Sequence, residues 1–219
     1  LPDLKGRYLP ENCRETINTI LKETYGYEQF RNLEIYDDLS KGKEKLCISQ
    51  GQLIENVILE AEKAWKGETQ VDNILLTAPT GSGKSLLFQL PAIYLGKEYN
   101  LLTIVVSPLK ALIVDQVESL QELGYTRVAY ASSDLSPEQK MEVYRQVREG
   151  EIDLFYLSPE LLLSYDIKHF VGERRIGLVV VDEAHTVTTW GKEFRVDYWF
   201  LGRYLTALKQ TLGYNFPLF

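Results

Sequence analysis

The sequence predicts an α/β fold in which helices cover both faces of a parallel sheet. From residue 71 onward, short apolar runs alternate with longer stretches of helical, amphipathic spacing. The runs are continuously apolar instead of alternating with polar residues, which is typical of strands buried on both faces of a parallel sheet. We therefore expect the strands to form a buried middle layer between two layers of helices.

The predicted strands are short segments rich in Val, Ile, Leu and Tyr, a composition that favours the extended chain. The last of them runs into an acidic turn. In chain order they cover 71–77, 101–107, 127–131, 153–158 and 176–185.

The predicted helices are marked mainly by their ends. A helix over 108–124 ends at Gly124, and one over 136–150 begins at Ser136 with Pro137 in its first turn. Ser is a favoured N-cap residue, Pro suits the first helical position, and Gly suits the end. The remaining predicted helices cover 11–30, 51–65 and 85–95, a short stretch from Pro159, and 196–213.

Composition limits the class of protein. The 219 residues are 45 % apolar and 25 % charged, which is ordinary for a globular protein. No apolar run approaches the roughly 20 residues that span a bilayer, and two cysteines, Cys13 and Cys47, supply neither a disulfide framework nor a zinc cluster. These features predict an intracellular protein in a reducing compartment. The net charge of −7 argues against a broad basic face that coats nucleic acid.

A glycine-rich turn follows the first predicted strand, with the sequence Ala-Pro-Thr-Gly-Ser-Gly-Lys-Ser at 78–85. It fits the phosphate-loop pattern G-x-x-x-x-G-K-[ST] except that Ala78 replaces the first Gly. Glycines let backbone amides turn towards phosphates, and the helix start adds its positive dipole end. We expect ATP phosphates at Lys84 and Mg²⁺ at the Ser85 hydroxyl. The other candidate nucleotide contacts in this turn are Thr80, Gly81, Ser82 and Gly83.

The acidic turn Asp-Glu-Ala-His at 182–185 follows the last predicted strand. Ligands of open parallel sheets bind at the carboxyl ends of strands, so this turn and the phosphate loop can face one site. Asp182 is the candidate metal ligand and Glu183 the candidate base for an attacking water. His185 is a candidate catalytic residue that could link the nucleotide site to whatever lies beyond it.

These motifs together resemble the DEAH-type superfamily-two helicases, and the RecQ family most closely. The segments SPLKALIVDQVESLQELG (107–124) and LFYLSPELL (154–162) are similar to further motifs of that family. The segment DEAHTVTTWGKEFRVDY (182–198) is similar to its DEAH box and aromatic-rich loop. The resemblance implies a P-loop NTPase fold, the N-terminal RecA-like lobe of an ATP-dependent helicase. It also implies a second RecA-like lobe that this chain does not contain.

The segment YGYEQFR (25–31) is similar to the first half of the RecQ adenine-recognition motif, with Tyr27 and Arg31 as its contacts. A direct count to the expected glutamine reaches Glu34. We favour Gln52 instead, because an amide both donates to and accepts from the adenine edge. Residues 32–49 then form an insertion. We accordingly divide the chain into an N-terminal helical region, 1–66, and an ATP-binding lobe, 67–219.

Two segments are candidate contacts to DNA. In the aromatic-rich loop, Trp190 and Phe194 can stack on bases and Arg195 can bind a phosphate, or the aromatic residues can simply cover the sheet edge. In the turn after the second predicted strand, backbone amides and a cation can bind the phosphate backbone. The candidates there are Ser107, Pro108 and Lys110.

The predicted function is an ATP hydrolase that moves on single-stranded DNA, 3′ to 5′ as the resemblance implies. Two alternatives remain open at this point. One is a DNA translocase that does not unwind, within a larger defence, repair or remodelling assembly. The other is an ATP-gated nucleic-acid-binding module with little turnover, and an RNA substrate is a further option.

Overall fold

The computed structural model describes residues 10–36, 45–77, 81–184 and 195–219. Its strands are β1 (Asn32–Tyr36), β2 (Lys45–Ser49), β3 (Leu102–Val106), β4 (Val128–Ala131), β5 (Leu154–Leu157) and β6 (Ile176–Val181). Its helices are α1 (Glu15–Tyr25), α2 (Gln50–Trp65), α3 (Leu86–Tyr99), α4 (Lys110–Glu122), α5 (Pro137–Arg148), α6 (Pro159–Ser164), α7 (Ile167–Val171) and α8 (Arg195–Leu212).

The central sheet is parallel, with the strand order β4-β5-β3-β6. Successive residues of each strand point to opposite faces, so the sheet separates two apolar cores. One core packs Val105 and Tyr156 against α1 to α4, and the other packs Ile104 and Phe155 against α5 to α8. The prediction of a parallel sheet covered on both faces is confirmed.

Residues 71–77, the first predicted strand, do not form a regular strand. Ile74 N–H donates to the Leu218 carbonyl (2.8 Å), and Leu218 forms an isolated parallel bridge with Val179 of β6. The short segment 217–219 thus lies between β6 and 71–77. It offers the predicted strand only isolated hydrogen bonds instead of a ladder.

The insertion between Arg31 and Gln50 is an antiparallel hairpin, β1 with β2, which pairs Asn32 with Ser49 at its base. Gln50 N–H donates to the Arg31 carbonyl (2.9 Å), so the two flanking residues stay adjacent. The polar stretch 37–46 predicts a loop. Its last two residues begin β2 instead, and 37–44 lies outside the described residues. The hairpin can therefore be inserted here without separating Arg31 from Gln50 in space.

Helix ends follow the local sequence where capping residues are present. Ser136 accepts from Gln139 N–H while the Gln139 side chain accepts from Ser136 N–H, a reciprocal capping box at the start of α5. Within the described residues, no helix combines the length and the apolar character that crossing a membrane requires.

A half-buried arginine joins the first three helices. Arg14 donates to Glu55 and Glu62 of α2 (both 2.6 Å) and to the Tyr94 hydroxyl of α3 (2.5 Å). Burial by itself would raise the pKa of Glu62. Hydrogen bonds from Arg14 and Tyr99 outweigh burial and hold that pKa below its ordinary value. These ion pairs fix α1 beside α2. Both helices contribute residues to the cleft described below.

Candidate active site

A cleft of about 650 Å³ opens beside the carboxyl end of β6. Its volume lies within the range of small-molecule sites in proteins. Its walls come from the end of α1 and the residues after it, the start of α2, the phosphate loop with the start of α3, helix α4, and the acidic turn. Its lining includes Tyr25, Tyr27, Arg31, Gln50, Gly81, Gly83, Lys84, Ser85, Gln89, Leu112, Gln116, Asp182 and Glu183.

The described part of the phosphate loop, 81–85, has the backbone that an anion cradle needs. Gly81 and Gly83 have φ of 80° and 77°, in the left-handed region that favours glycine. Helix α3 begins directly after the loop, which brings its positive N-terminal end to the cleft. The Ser82 hydroxyl is buried without a hydrogen-bond partner among the described residues. Ser82, a predicted nucleotide contact, is not among the residues that line the cleft.

Gln50, at the start of α2, clasps the phosphate loop. Its side-chain amide donates to the Ser82 carbonyl (3.1 Å) and accepts from Arg31 N–H (3.2 Å). A Cβ atom on Gly83 would lie 2.7 Å from Nε2 of Gln50, closer than side chains approach. The positive φ is what requires glycine at position 83, since the end of the Gln50 side chain could shift to admit a Cβ atom.

The acidic turn leaves the sheet directly after β6. Asp182 N–H donates to the Val106 carbonyl (2.9 Å), which continues the ladder between β6 and β3. Glu183 N–H donates to Oδ1 of Asp182 (2.9 Å), and Glu183 has a φ of 52°. A residue other than glycine held in the left-handed region is strained, and such strain concentrates at functional sites. Both carboxylates line the cleft.

The oxygen groups needed for Mg²⁺ are close to the phosphate loop. Ser85 and Asp182 both line the cleft, and hydroxyl and carboxylate oxygens are ligands that Mg²⁺ accepts together with water and phosphate oxygens. Lys84 also lines the cleft. The donor set therefore fits a magnesium–nucleotide complex.

Aromatic residues also line the cleft. Tyr27 is 51 % exposed, and its ring stacks on Tyr25 with centroids 6.2 Å apart. Burial raises the pKa of the Tyr25 phenol well above its ordinary value, so the hydroxyl stays protonated and donates to Gln89 (2.8 Å). The exposed Tyr27 ring is available to a flat ligand such as a base.

Gln52, the predicted adenine contact, is not among the residues that line the cleft. Its Oε1 accepts from Ser49 N–H (3.0 Å) in the capping box that begins α2. Gln50, two residues earlier, lines the cleft instead. The sequence carries a signal for this assignment, since Ser49 and Gln52 have the S-x-x-Q spacing of a capping box.

The turn before α4 differs from the expected phosphate contact. Ser107 is 1 % exposed, and its N–H donates to the Leu157 carbonyl (3.1 Å). The Ser107 amide is therefore engaged within the sheet, and Pro108 has no N–H to offer, so contact of this turn with DNA stays a prediction. Lys110 is half-exposed and forms an ion pair with Asp134 (3.2 Å).

Several predicted contacts lie outside the described residues. These are Thr80, His185, Trp190 and Phe194, together with the side chain of Arg195. Sequence reasoning also missed Gln50, Gln89 and Gln116 as cleft residues. Gln89 lies in a helix whose pattern indicates only packing. Gln116 lies within the helicase-like segment 107–124, but that resemblance assigns no task to the glutamine.

The parallel sheet, its helices on both faces and the phosphate loop define the class of the fold as a RecA-like P-loop NTPase lobe. Residues 53–213 match the family model described as DEAD/DEAH box helicase. This match covers most of the chain, so the chain belongs to the DEAD/DEAH box helicase family.

Curated relatives agree with the RecQ-like motifs. The chain is 34 % identical over 202 residues to the ATP-dependent DNA helicase RecQ of Synechocystis sp., covering 91 % of this chain and 35 % of that protein. It is 34 % identical over 189 residues to the ATP-dependent DNA helicase Q-like 5 of Arabidopsis thaliana, covering 86 % and 17 %. The predicted resemblance to RecQ helicases is confirmed. The chain spans about a third or less of the length of these relatives.

Two solved structures share the fold at low sequence identity. The DUF1998 helicase MrfA, bound to DNA and AMPPNP, superposes with a TM-score of 0.50 at 21 % identity, covering 82 % of this chain and 22 % of that one. The UvsW helicase of bacteriophage T4 gives a TM-score of 0.51 at 16 % identity, covering 95 % and 60 %. These similarities establish the helicase-type fold of the lobe.

Proposed function

We propose that this chain is the ATP-hydrolysing motor lobe of a RecQ-like DNA helicase that moves on single-stranded DNA, 3′ to 5′. One observation carries the proposal: the phosphate loop and the acidic turn, about 100 residues apart in sequence, line a single cleft. DNA is proposed as the partner because relatives at 30 to 34 % identity bear the name ATP-dependent DNA helicase RecQ.

In this proposal, different residues of the cleft bind different parts of ATP. Lys84 and the loop amides hold the β- and γ-phosphates, and Tyr27 stacks on the base. Gln50 uses one N–H on Ser82 and one lone pair on Arg31 N–H. A glutamine side chain has a second N–H and a second lone pair, and these suit the donor and acceptor on the adenine edge.

Hydrolysis depends on the two adjacent carboxylates. Ser85 and Asp182 would hold Mg²⁺, which when bound neutralises charge on the phosphates. Glu183 orients the attacking water and accepts its proton. Asp182 and Glu183 both line the cleft, so the two carboxylates can take these separate roles.

The substitution Glu183→Gln tests the catalytic assignment. The amide keeps the size of the side chain but cannot accept the proton, so hydrolysis should fall by at least about 100-fold while ATP still binds. Single-turnover hydrolysis and nucleotide binding measure the two effects separately. Glu160→Gln, at an exposed carboxylate outside the cleft, is the matched control. Wild-type hydrolysis by the Glu183 variant would refute the role of Glu183.

The nucleic-acid partner is tested by ATPase activity with single-stranded DNA, duplex DNA or RNA as the stimulant. The proposal expects single-stranded DNA to stimulate most. Stimulation by RNA alone would contradict a DNA motor. A strand-displacement assay in parallel separates unwinding from translocation, because ATPase activity without displacement identifies a translocase that does not unwind.

A further inference from the structure

Three side-chain hydrogen bonds link Tyr25 to Ser85 through two glutamines that also line the cleft. The Tyr25 hydroxyl donates to Oε1 of Gln89 (2.8 Å), and Nε2 of Gln89 donates to Oε1 of Gln116 (2.7 Å). Nε2 of Gln116 then donates to Oγ of Ser85 (2.8 Å). These contacts connect an aromatic residue of the cleft to the hydroxyl of the phosphate loop, and neither glutamine has a role in the proposed hydrolysis.

The neighbours of Gln116 fix the orientation of its amide. If this amide alone were reversed, its NH₂ group would face the NH₂ group of Gln89, and the hydrogen bond between them would be lost. The Tyr156 hydroxyl lies 3.5 Å from Oε1 of Gln116 and 3.2 Å from Nε2 of Gln89. Gln89 and Tyr156 are 5 % and 1 % exposed, so these groups are held within the core.

Core packing does not account for Gln116. The buried residues of α4 are Ile113, Val117 and Leu120, which form its apolar face. Gln116 is only half-buried and lines the cleft beside Leu112, another residue of α4. Its side chain therefore serves the cleft and not the core of the helix.

A serine hydroxyl has two lone pairs and one proton. The N–H of Gln116 occupies one lone pair of Ser85 and restricts rotation about its Cα–Cβ bond, which leaves the second lone pair for a cation. We propose that Gln116 is a positioning residue that orients the Ser85 hydroxyl towards the Mg²⁺ of the bound nucleotide. This inference rests on the proposed function, because it takes the cleft to bind magnesium and ATP.

The test measures the Mg²⁺ concentration that gives half-maximal binding of a fluorescent ATP analogue to the 219-residue chain. Gln116→Met removes the donor with little change in volume. We expect this concentration to rise about tenfold, as for the loss of a hydrogen-bonding partner behind a metal ligand. Gln121→Met, at an exposed glutamine of the same helix, should leave it unchanged. Thermal unfolding checks that each variant is folded, and Gln116→Leu takes the place of an unfolded Met variant.

A double-mutant cycle with Ser85→Ala shows whether Gln116 acts through the serine. In the Ser85→Ala background, the change at position 116 should have no further effect on the Mg²⁺ dependence. An equal effect in both backgrounds, or wild-type Mg²⁺ dependence of Gln116→Met, would overturn the inference. If the wild-type chain shows no Mg²⁺-dependent nucleotide binding, the proposed function itself fails, which is a distinct result.

Discussion

At the residue scale, two glutamines that are two positions apart have different tasks. Gln50 is 2 % exposed and bonds the phosphate loop, whereas Gln52 closes the capping box of α2. The hairpin β1–β2 separates both from the motif that ends at Arg31. Counting residues from Arg31 cannot show which glutamine reaches the cleft, because the hairpin brings the chain back beside Arg31 before either glutamine.

This difference predicts that one alanine substitution lowers ATP affinity and the other lowers stability. Gln50→Ala should weaken ATP binding about tenfold or more and reduce the preference for ATP over GTP, since the group that suits the adenine edge is lost. Gln52→Ala should lower the free energy of unfolding by about 0.5–1 kcal/mol through the lost cap, with ATP affinity unchanged. Calorimetric nucleotide titration and urea unfolding measure the pair. The reverse pattern would return the adenine contact to Gln52.

At the element scale, Gly96 of α3 lies directly against Asp153, the residue before β5. The Asp153 carboxylate beside it is 2 % exposed and accepts from Arg127 (2.6 Å), Arg174 (2.8 Å) and Tyr125 (3.1 Å). A Cβ atom on Gly96 would lie 2.2 Å from Cγ of Asp153. The helix can pack on this ionic cluster only because residue 96 has no side chain.

Two glycine-to-alanine substitutions in helices should therefore differ in sign. Gly96→Ala forces Asp153 away from its arginines and should destabilise the fold by about 2 kcal/mol or more. Gly202→Ala, in α8, meets nothing within 4 Å among the described residues and should stabilise it by about 0.5–1 kcal/mol. Urea unfolding midpoints provide the comparison. Equal midpoints for the two variants would show that Asp153 moves without penalty.

At the scale of the whole molecule, the cleft brings together motifs from distant parts of the chain beside the carboxyl end of β6. Among its described residues, the cations are Arg31 and Lys84. Phosphoryl transfer in related ATPases commonly gains an arginine supplied by another domain or subunit, worth about 10³–10⁵ in rate. The relatives are about three or more times as long as the segment matched here.

The 219-residue chain should therefore bind ATP but turn it over slowly, at least about 10³-fold below a two-lobed enzyme. A chimera that continues after Phe219 with the matching C-terminal part of the Synechocystis relative should restore DNA-stimulated turnover. The same chimera with Glu183→Gln is the control. Rapid DNA-stimulated hydrolysis by the short chain alone would show that its own residues complete the site.

Most of the fold, and the phosphate loop and acidic turn of the site, could be predicted because each is marked by residues close together in the sequence. The phosphate loop is written in consecutive residues, and so is the acidic turn after β6. Buried strands such as 101–107 appear as apolar runs, and Ser136 with Gln139 marks the start of α5. Each of these patterns depends on neighbours along the chain, so the amino-acid order alone determines it.

The tertiary structure decided the contacts between distant segments. It placed Gln50 on the phosphate loop and Gln116 beside Ser85. It also buried Ser107, whose N–H donates to the Leu157 carbonyl. It also left 71–77 without a regular strand. The physical reason is the same in each case: a side chain's partner across the fold depends on how helices and strands pack. The sequence thus determined which chemical groups this lobe carries, and packing decided which of them meet in the cleft.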